Sequence, residues 1–178
     1  FNGYNLDLSD NPIDDSQLQY IKNNSIRYLY INNTNIKDVS ELTNIEGLYI
    51  DGNKNVTGVE NLTQLKYLSM NDCGLTDLNF MQNLTNLSIV YMNSNKLTNT
   101  DGIKELSNIT KLYMEKCELE DINFLEKLIN VSELYLDNNN IANIEVLSKL
   151  KKLWILYMNN NKIQDISSLS NLESLSIL

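Results

Sequence analysis

The stretch VSELYLDNNNI, residues 131–141, decides how this chain folds. Its apolar residues and its asparagine follow the pattern Leu-x-x-Leu-x-Leu-x-x-Asn-x-Ile, and close variants of that pattern recur along the chain. Seven further copies carry a strand residue equivalent to Leu134, at Leu6, Leu29, Leu48, Leu68, Val90, Leu112 and Leu156. Self-similarity at a fixed period of roughly 20–50 residues is the signature of a solenoid, in which successive copies stack on one another.

The spacing of the copies indicates what lies between the strands. Over most of the chain the strand residues are 22 apart, at Leu68, Val90, Leu112, Leu134 and Leu156. Between strands the apolar residues recur at every third position, which fits a 3₁₀-like turn better than an α-helix. Loss of three residues therefore removes one turn, as in the 19-residue interval from Leu29 to Leu48. A second interval of 19 predicts a ninth copy at Leu172, Leu175 and Ile177, cut off at Leu178.

This pattern resembles the leucine-rich repeat family over nearly the whole chain. The short copies containing Ile-x-Asp-Ile, as at Ile163, Asp165 and Ile166, resemble both bacterial internalins and the leucine-rich regulatory subunits of protein phosphatase 1. The resemblance implies an α/β solenoid shaped as a right-handed arc, with a parallel β-sheet on the concave face and short 3₁₀ or helical turns on the convex face. We expect a single leucine-rich repeat domain over residues 1–178, with about eight full repeats and a truncated ninth.

The first return segment differs from the others. From Ile13 to Ile26 the three-residue rhythm breaks, and Asp15 and Ser16 precede apolar residues three positions apart. Small polar residues before an apolar periodic run are typical of a helix start. The sequence therefore predicts a true helical turn in this copy.

One polar position after each strand is expected inside the solenoid. The family resemblance implies that its side chain hydrogen-bonds backbone groups of neighbouring turns, and Asn suits this role because its amide both donates and accepts. The predicted structural column consists of Asn11, Thr34, Asn53, Cys73, Asn95, Cys117, Asn139 and Asn161. The two cysteines are two copies apart, roughly 9.6 Å at about 4.8 Å per strand, which is too far for a disulfide. We expect two free, buried thiols.

Tyrosines occupy the sheet face opposite the leucines. Alternate side chains of a strand point to opposite faces, so the residues flanking each strand leucine are expected on the concave side. Eight of the ten tyrosines fall there, at Tyr28, Tyr30, Tyr49, Tyr67, Tyr91, Tyr113, Tyr135 and Tyr157, whereas Tyr4 and Tyr20 do not. The same face is expected to carry one base, Lys111, and the acids Asp7, Asp51, Glu115, Glu133 and Asp137. The predicted ninth copy would add Ser174, Ser176 and Leu178.

These residues predict a protein-binding surface. Tyrosine offers a rigid amphipathic contact that loses little entropy, and it recurs in binding surfaces and hot spots. We expect a non-enzymatic module that binds a protein through the eight tyrosines with Asp51, Glu115, Glu133 and Asp137. Tyrosine is also a good strand residue, so the rings could instead form a purely structural ladder. Two other functions stay open: a structural spacer in a large assembly, and the recognition domain of a larger enzyme or phosphatase-regulatory protein.

Composition argues against other classes of function. The chain has 14 Lys and Arg against 23 Asp and Glu, a formal net charge of −9, and no histidine. The sequence lacks the cluster of basic residues that nucleic-acid recognition needs. It also lacks histidine, the commonest metal ligand, and a Gly-rich loop for binding phosphate. We expect no nucleic-acid partner, no metal and no small-molecule cofactor. The chain contains no run of 18 apolar residues, so the sequence predicts no membrane span.

Asparagine sequons bear on the compartment. Asn-x-Ser/Thr begins at Asn23, Asn32, Asn55, Asn61, Asn83, Asn86, Asn108 and Asn130. So many acceptors on one small arc disfavour a eukaryotic secretory pathway and favour a cytoplasmic protein or a bacterial one at the cell surface or secreted. The chain also starts and stops without the polar caps that solenoid ends normally carry, so we expect a fragment of a longer polypeptide.

Overall fold

Parallel strands stacked in chain order form the framework of the protein. The computed structural model describes residues 5–22 and 25–177, and within them an eight-stranded open sheet in which each strand pairs with the next. Its strands are β1 (Asn5–Asp7), β2 (Tyr28–Tyr30), β3 (Gly47–Tyr49), β4 (Tyr67–Ser69), β5 (Ile89–Tyr91), β6 (Lys111–Tyr113), β7 (Glu133–Tyr135) and β8 (Ile155–Tyr157). The predicted parallel-sheet solenoid is confirmed.

Short helical turns carry the chain back between strands. The described residues contain 3₁₀ turns at Val59–Asn61, Asn79–Met81, Asp101–Ile103, Asn123–Lys127, Glu145–Lys149 and Ser167–Asn171. The first return segment holds one α-helical turn, α1 (Asp15–Leu18), whose N-cap residue Asp14 accepts a hydrogen bond from the backbone N–H of Ser16. The predicted 3₁₀ return turns and the predicted helical turn in the first return segment are both confirmed. The 19-residue copy between β2 and β3 has hydrogen-bonded turns and no helix, as expected after deletion of one turn.

The core is a continuous column of aliphatic side chains. The strand register aligns Leu29 with Leu48, Leu48 with Leu68 and so on along the sheet. The central residue of every strand from β2 to β8 is fully buried. Because a single copy is too thin to cover its own apolar residues, each one is buried only by its neighbours, which is how solenoids obtain a core.

The register of the last copy differs from the prediction. Ile177 forms an isolated parallel bridge with Ile155, and its backbone N–H donates to the carbonyl of Trp154 at 3.2 Å. The interval is therefore 22 residues, and the prediction of a short ninth copy with an interval of 19 is wrong. Consequently Ser174 and Ser176 lie outside the columns that were predicted to include them.

The error has a physical origin in the return segments. Leu172 and Leu175 belong to the last return segment, where apolar residues recur every third position and so imitate the leucine spacing that precedes a strand. Leu178, which was predicted on the concave face, lies outside the described residues, as do Tyr4 and the sequon residue Asn23.

In every copy a left-handed residue turns the chain just before the polar position. These residues have φ between +50° and +76° and are Asp10, Asn33, Gly52, Asp72, Ser94, Lys116, Asn138 and Asn160. Asn, Asp and Gly tolerate this conformation better than other residues, which explains their frequency here. Each of them directly precedes a member of the predicted polar column, so the chain reverses direction where that side chain must enter the interior.

Asn139 shows what the buried column does. Its side-chain oxygen accepts hydrogen bonds from the backbone N–H groups of Cys117 (2.9 Å) and Leu119 (3.0 Å) in the preceding copy. Its side-chain N–H donates to the carbonyls of Met114 and Leu136, both at 2.9 Å. One amide thereby satisfies backbone groups of two adjacent turns. Asn11, at the first copy, is exposed and bonds only to Leu8 and Ser9 of its own turn.

The cysteines are variants of the same position. Both are free and buried, and their Sγ atoms donate to carbonyls of the preceding copy, Cys73 to Ile50 at 3.2 Å and Cys117 to Met92 at 3.1 Å. Burial raises the pKa of the Cys73 thiol to about 12 and that of Cys117 to about 11. Since the thiolate is the reactive form, burial disfavours reaction of both side chains at neutral pH.

Acidic and amide side chains also fix the return segments. Asp38, Asn99, Asn143 and Asp165 each accept a hydrogen bond from the backbone N–H two residues further on, at 2.8–2.9 Å. These hydrogen bonds lower the pKa of Asp38 and Asp165, the main cause being the bonds from Ser40 and Ser167, respectively. A carboxylate and an amide oxygen thus perform the same structural role in different copies.

Replacement of Asn139 tests the buried column. Asn139→Ala leaves buried N–H and carbonyl groups without partners, each costing about 1–3 kcal/mol, so we expect unfolding free energy to fall by roughly 3 kcal/mol or more. Urea unfolding followed by circular dichroism measures the loss. Asn11→Ala is the matched control, since its site is exposed, and its loss should be below about 1 kcal/mol. Equal losses in the two variants would contradict this account.

The return-segment acids predict a pH dependence. Their folded-state pKa lies below the value of about 3.9 for an unfolded Asp, so their stabilisation is complete above that pH and is lost as pH falls through the folded-state pKa. The double variant Asp38→Asn, Asp165→Asn keeps an acceptor oxygen and should flatten the decline in urea midpoint between pH 5 and pH 2. Asn143→Asp should steepen it. Parallel curves for all three proteins would show that these carboxylates do not contribute.

Candidate protein-binding surface

Two columns of side chains cover the sheet on the side away from the core. The first comprises Asn5, Tyr28, Gly47, Tyr67, Ile89, Lys111, Glu133 and Ile155, and the second comprises Asp7, Tyr30, Tyr49, Ser69, Tyr91, Tyr113, Tyr135 and Tyr157. The eight tyrosines predicted for this face all lie in these columns, and every one is half-buried. They are termed the tyrosine face below.

Four of the rings form one continuous stack. The centroids of Tyr91 and Tyr113 are 4.3 Å apart, those of Tyr113 and Tyr135 4.2 Å, and those of Tyr135 and Tyr157 5.2 Å, with interplanar angles of 11–19°. The flat sides of the inner rings are covered by their neighbours. What this part of the face offers to solvent is therefore a ridge of ring edges ending in phenol hydroxyls.

Two small residues interrupt the columns, and tyrosines close around them. A Cβ atom at Gly47 would lie 2.5 Å from Cδ1 of Tyr28, because that ring leans across β3 to reach Tyr67 at a centroid distance of 5.6 Å. In the second column Ser69 separates the stacked pair Tyr30 and Tyr49, 4.3 Å apart, from the four-ring stack. Ser69 is itself only 3% exposed, so the break is covered.

Two phenols of the face have a raised pKa, so their hydroxyls stay protonated at physiological pH. Burial, followed by the neighbouring Tyr30, raises the pKa of Tyr49 to about 12. Burial and the flanking Tyr91 and Tyr135 likewise raise the pKa of Tyr113. Both hydroxyls therefore stay available as hydrogen-bond donors as well as acceptors.

The one basic residue in the two columns, Lys111, is already paired. Lys111 forms a salt bridge with Glu133 at 2.7 Å, and this hydrogen bond is the main cause of the raised pKa of Lys111. The hydroxyl of Tyr113 also lies 3.4 Å from Glu133 Oε2. Glu133 thus joins the first column to the tyrosine stack.

A third column binds the strands together, a feature that the sequence reasoning missed. Side-chain oxygens of Ser9, Asn32, Asp51, Asn71, Asn93 and Asp137 each accept a hydrogen bond from the backbone N–H at the equivalent position of the next copy, at 2.6–3.2 Å. Asp51 and Asp137, predicted to contact a partner, belong to this column. The sequence signal was present in the recurrence of Asn and Asp three residues after the central strand residue.

Glu115 interrupts the third column. It occupies the equivalent position in its copy, but its side chain makes no hydrogen bond or ion pair within the described residues. As a result, the backbone N–H of Asp137 does not donate to a side chain of the preceding copy. A Glu side chain is one methylene longer than Asp or Asn, so its carboxylate does not fall at the distance that this bond requires.

Comparison with known proteins agrees with the geometry. A family model described as leucine-rich repeats (2 copies) matches residues 63–105 and 129–171. Internalin C2 from Listeria monocytogenes is similar at a TM-score of 0.90 and 27% identity, over 98% of this chain and 80% of that one. Internalin InlF from the same species gives a TM-score of 0.75 and 25% identity, over 96% and 57% of the two chains.

A leucine-rich repeat protein from Leptospira interrogans is also similar, with a TM-score of 0.74 and 26% identity over 99% of this chain and 42% of that one. This chain thus spans less than two thirds of that structure and of internalin InlF. The comparison with curated proteins gave no match.

Stacked parallel strands, three-residue return turns and a buried asparagine column define a solenoid repeat protein. The chain contains leucine-rich repeats, matched at residues 63–105 and 129–171, and these repeats resemble those of internalins. Leucine-rich repeat proteins bind other proteins, and this chain has the architecture of such an interaction module.

In the part of the chain that the structure describes, no helix is long and apolar enough to cross a membrane. Residues 5–22 and 25–177 also contain no group of three or more metal-ligating side chains.

The interrupted third column generates a stability prediction. Glu115→Asn provides an acceptor of the length used in the neighbouring copies, so we expect a new hydrogen bond to the Asp137 N–H and a gain of about 0.5–1.5 kcal/mol in unfolding free energy. Urea unfolding measures the change in unfolding free energy. Glu115→Gln removes the same charge at unchanged side-chain length and should leave stability within about 0.5 kcal/mol. An equal gain in both variants would assign the effect to charge.

Proposed function

We propose that this chain is a non-enzymatic recognition module that binds a protein partner through the tyrosine face. The observation that carries the proposal is the ridge formed by Tyr91, Tyr113, Tyr135 and Tyr157, four half-buried rings in one stack on the solvent side of the sheet. An aromatic surface that remains accessible in a folded chain is characteristic of an interaction site.

Prior ordering of the rings favours binding. Immobilising a flexible side chain in an interface costs about 0.5–1.5 kcal/mol. Stacking restricts the inner rings in the free protein, so a partner meets side chains whose rotamers are largely fixed. The paired Lys111 and Glu133 likewise present a polar group that needs no rearrangement.

Stacking alone does not account for the use of tyrosine. A structural ladder needs only the rings, and phenylalanine provides the same stacking surface without a hydroxyl to keep hydrated. The polar tips point away from the core and can hydrogen-bond a partner, which fits the enrichment of tyrosine in interfaces. We therefore assign the ring surface to stability and the edges and hydroxyls to recognition.

The spacing of the ridge favours a folded partner over an extended peptide. Strands of the sheet follow one another at about 4.8 Å, whereas an extended peptide rises by about 3.3 Å per residue. A peptide lying along the ridge would lose register with the tyrosines after two or three residues. A folded protein surface has no such restriction.

Site-specific photo-crosslinking tests the proposal. We would replace Tyr135 with a photoreactive phenylalanine analogue in the full chain, irradiate extracts of cells that produce the protein, and identify the products by mass spectrometry. The same analogue at Gln164, which is exposed and lies outside the sheet columns, is the control. A partner captured from Tyr135 and not from Gln164 supports the proposal. Capture from Gln164 alone would favour a spacer that makes its contacts elsewhere.

Substitution in the stack separates binding from stability. Tyr113→Ala with Tyr135→Ala should weaken binding of the cross-linked partner by at least about 2 kcal/mol, roughly 30-fold, if these are hot spots. Isothermal titration calorimetry on the purified pair measures the change. The matched double variant to Phe keeps the stack and should unfold within about 0.5 kcal/mol of the parent.

The two double variants have distinct outcomes. Weakened binding in the Phe variant assigns recognition to the hydroxyls, and weakened binding in the Ala variant alone assigns it to the ring surface. Unchanged affinity in both, with folding intact, would remove the tyrosine face as the binding site.

A further inference from the structure

We propose that Glu115 is the ionic anchor of the tyrosine face and receives a cationic side chain, Lys or Arg, of the protein partner. This inference rests on the proposed function and deepens it, because it singles out one of the acids on this side of the sheet. The others differ from Glu115 in how their carboxylates are used.

The remaining acids are engaged within the chain. Asp51 accepts hydrogen bonds from the Ser69 hydroxyl at 2.6 Å and from the backbone N–H of Asn71 at 2.8 Å. Asp137 accepts from both the backbone and the side chain of Asn159, at 2.6 and 3.2 Å.

The last two acids are also engaged. Glu133 is bound by Lys111 at 2.7 Å, and Asp7 accepts from the backbone N–H of Ser9 at 3.0 Å. A partner that used any of these four carboxylates would have to compete with bonds that they already make within the chain.

Glu115 differs from these four acids in its bonding, and from the Asn and Asp residues of the third column in its length. Its carboxylate has no hydrogen-bond or ion-pair partner among the described residues, and the residue stands where six other copies have Asn or Asp. The chain forgoes one strand-to-strand hydrogen bond at this position. In return it presents a longer side chain with an uncompensated charge two residues after Tyr113, in the copy that contributes an inner ring to the stack.

Local charge determines which occupant fits. Lys111, the base on the face, is bound to Glu133, so no cation of the sheet columns neutralises Glu115. Its nearest equivalents along the third column are the neutral Asn93 and the acidic Asp137. A second copy of this acidic chain would bring like charges together, whereas a Lys or Arg on a partner gains a charge-assisted hydrogen bond.

The test uses the protein captured through position 135, produced separately, with the full chain as its ligand. Glu115→Gln should weaken binding at least about fivefold at 50 mM salt and should slow association, and the difference should shrink at 0.5 M salt because screening removes the ionic contribution. Asp137→Asn removes one charge from the adjacent strand but keeps the hydrogen-bond acceptor. It should change affinity by less than about twofold.

A charge scan of the partner completes the experiment. Replacing its exposed Lys and Arg residues one at a time by Ala should reveal one whose effect on affinity disappears in the Glu115→Gln background. Equal weakening by Glu115→Gln and Asp137→Asn would reduce the effect to net charge and overturn the anchor. Unchanged affinity in Glu115→Gln would also overturn it, while leaving tyrosine-dependent binding intact. If no partner is captured at position 135, and tyrosine substitution affects no binding, both proposals fall together.

Discussion

The buried amide of the asparagine column is the interaction on which the rest of this molecule depends. Each copy has a left-handed residue three positions after its strand, and this turn leaves backbone N–H and carbonyl groups inside the solenoid. Asn95 and Asn139 satisfy such groups in two adjacent turns at once, and Asn53 satisfies those of the preceding turn. Because a buried unpaired polar group is costly, this amide fixes the height of one copy above the next. The strand spacing, the closure of the aliphatic core and the alignment of the tyrosines all follow from it.

Alignment turns a repeated residue into a surface. Parallel strands in exact register bring equivalent side chains within ring-stacking distance, so tyrosine at one position per copy becomes a ridge. Offset-stacked rings contribute about 0.5–1.5 kcal/mol per pair beyond the area they bury. The same rings therefore stabilise the stack and keep the hydroxyls ordered at its outer edge. Structural and recognition roles share these residues, and this is why substitution by Phe is more informative than substitution by Ala.

Much of the fold could be predicted because two simple periods govern it. The alternation of the strands placed all eight tyrosines on one face, and the three-residue rhythm placed the 3₁₀ turns. The last copy was misaligned because that rhythm continues into Leu172 and Leu175, where it imitates a strand. The use of the carboxylates could not be predicted, since it depends on side-chain length and rotamer across neighbouring copies. Asp137 and Glu115 look equivalent in sequence, yet only the shorter side chain reaches the next backbone N–H.

The 22-residue interval shared by the copies from β4 to β8 has a consequence for how such a chain can change during evolution. Every copy in this segment meets its neighbours through the same register, an equivalent buried position and a 3₁₀ return turn. Duplication or loss of one whole unit would leave every junction intact and alter only the length of the phenol ridge. The size of the contact area can thus be adjusted in whole increments of one strand, without redesign of the interior.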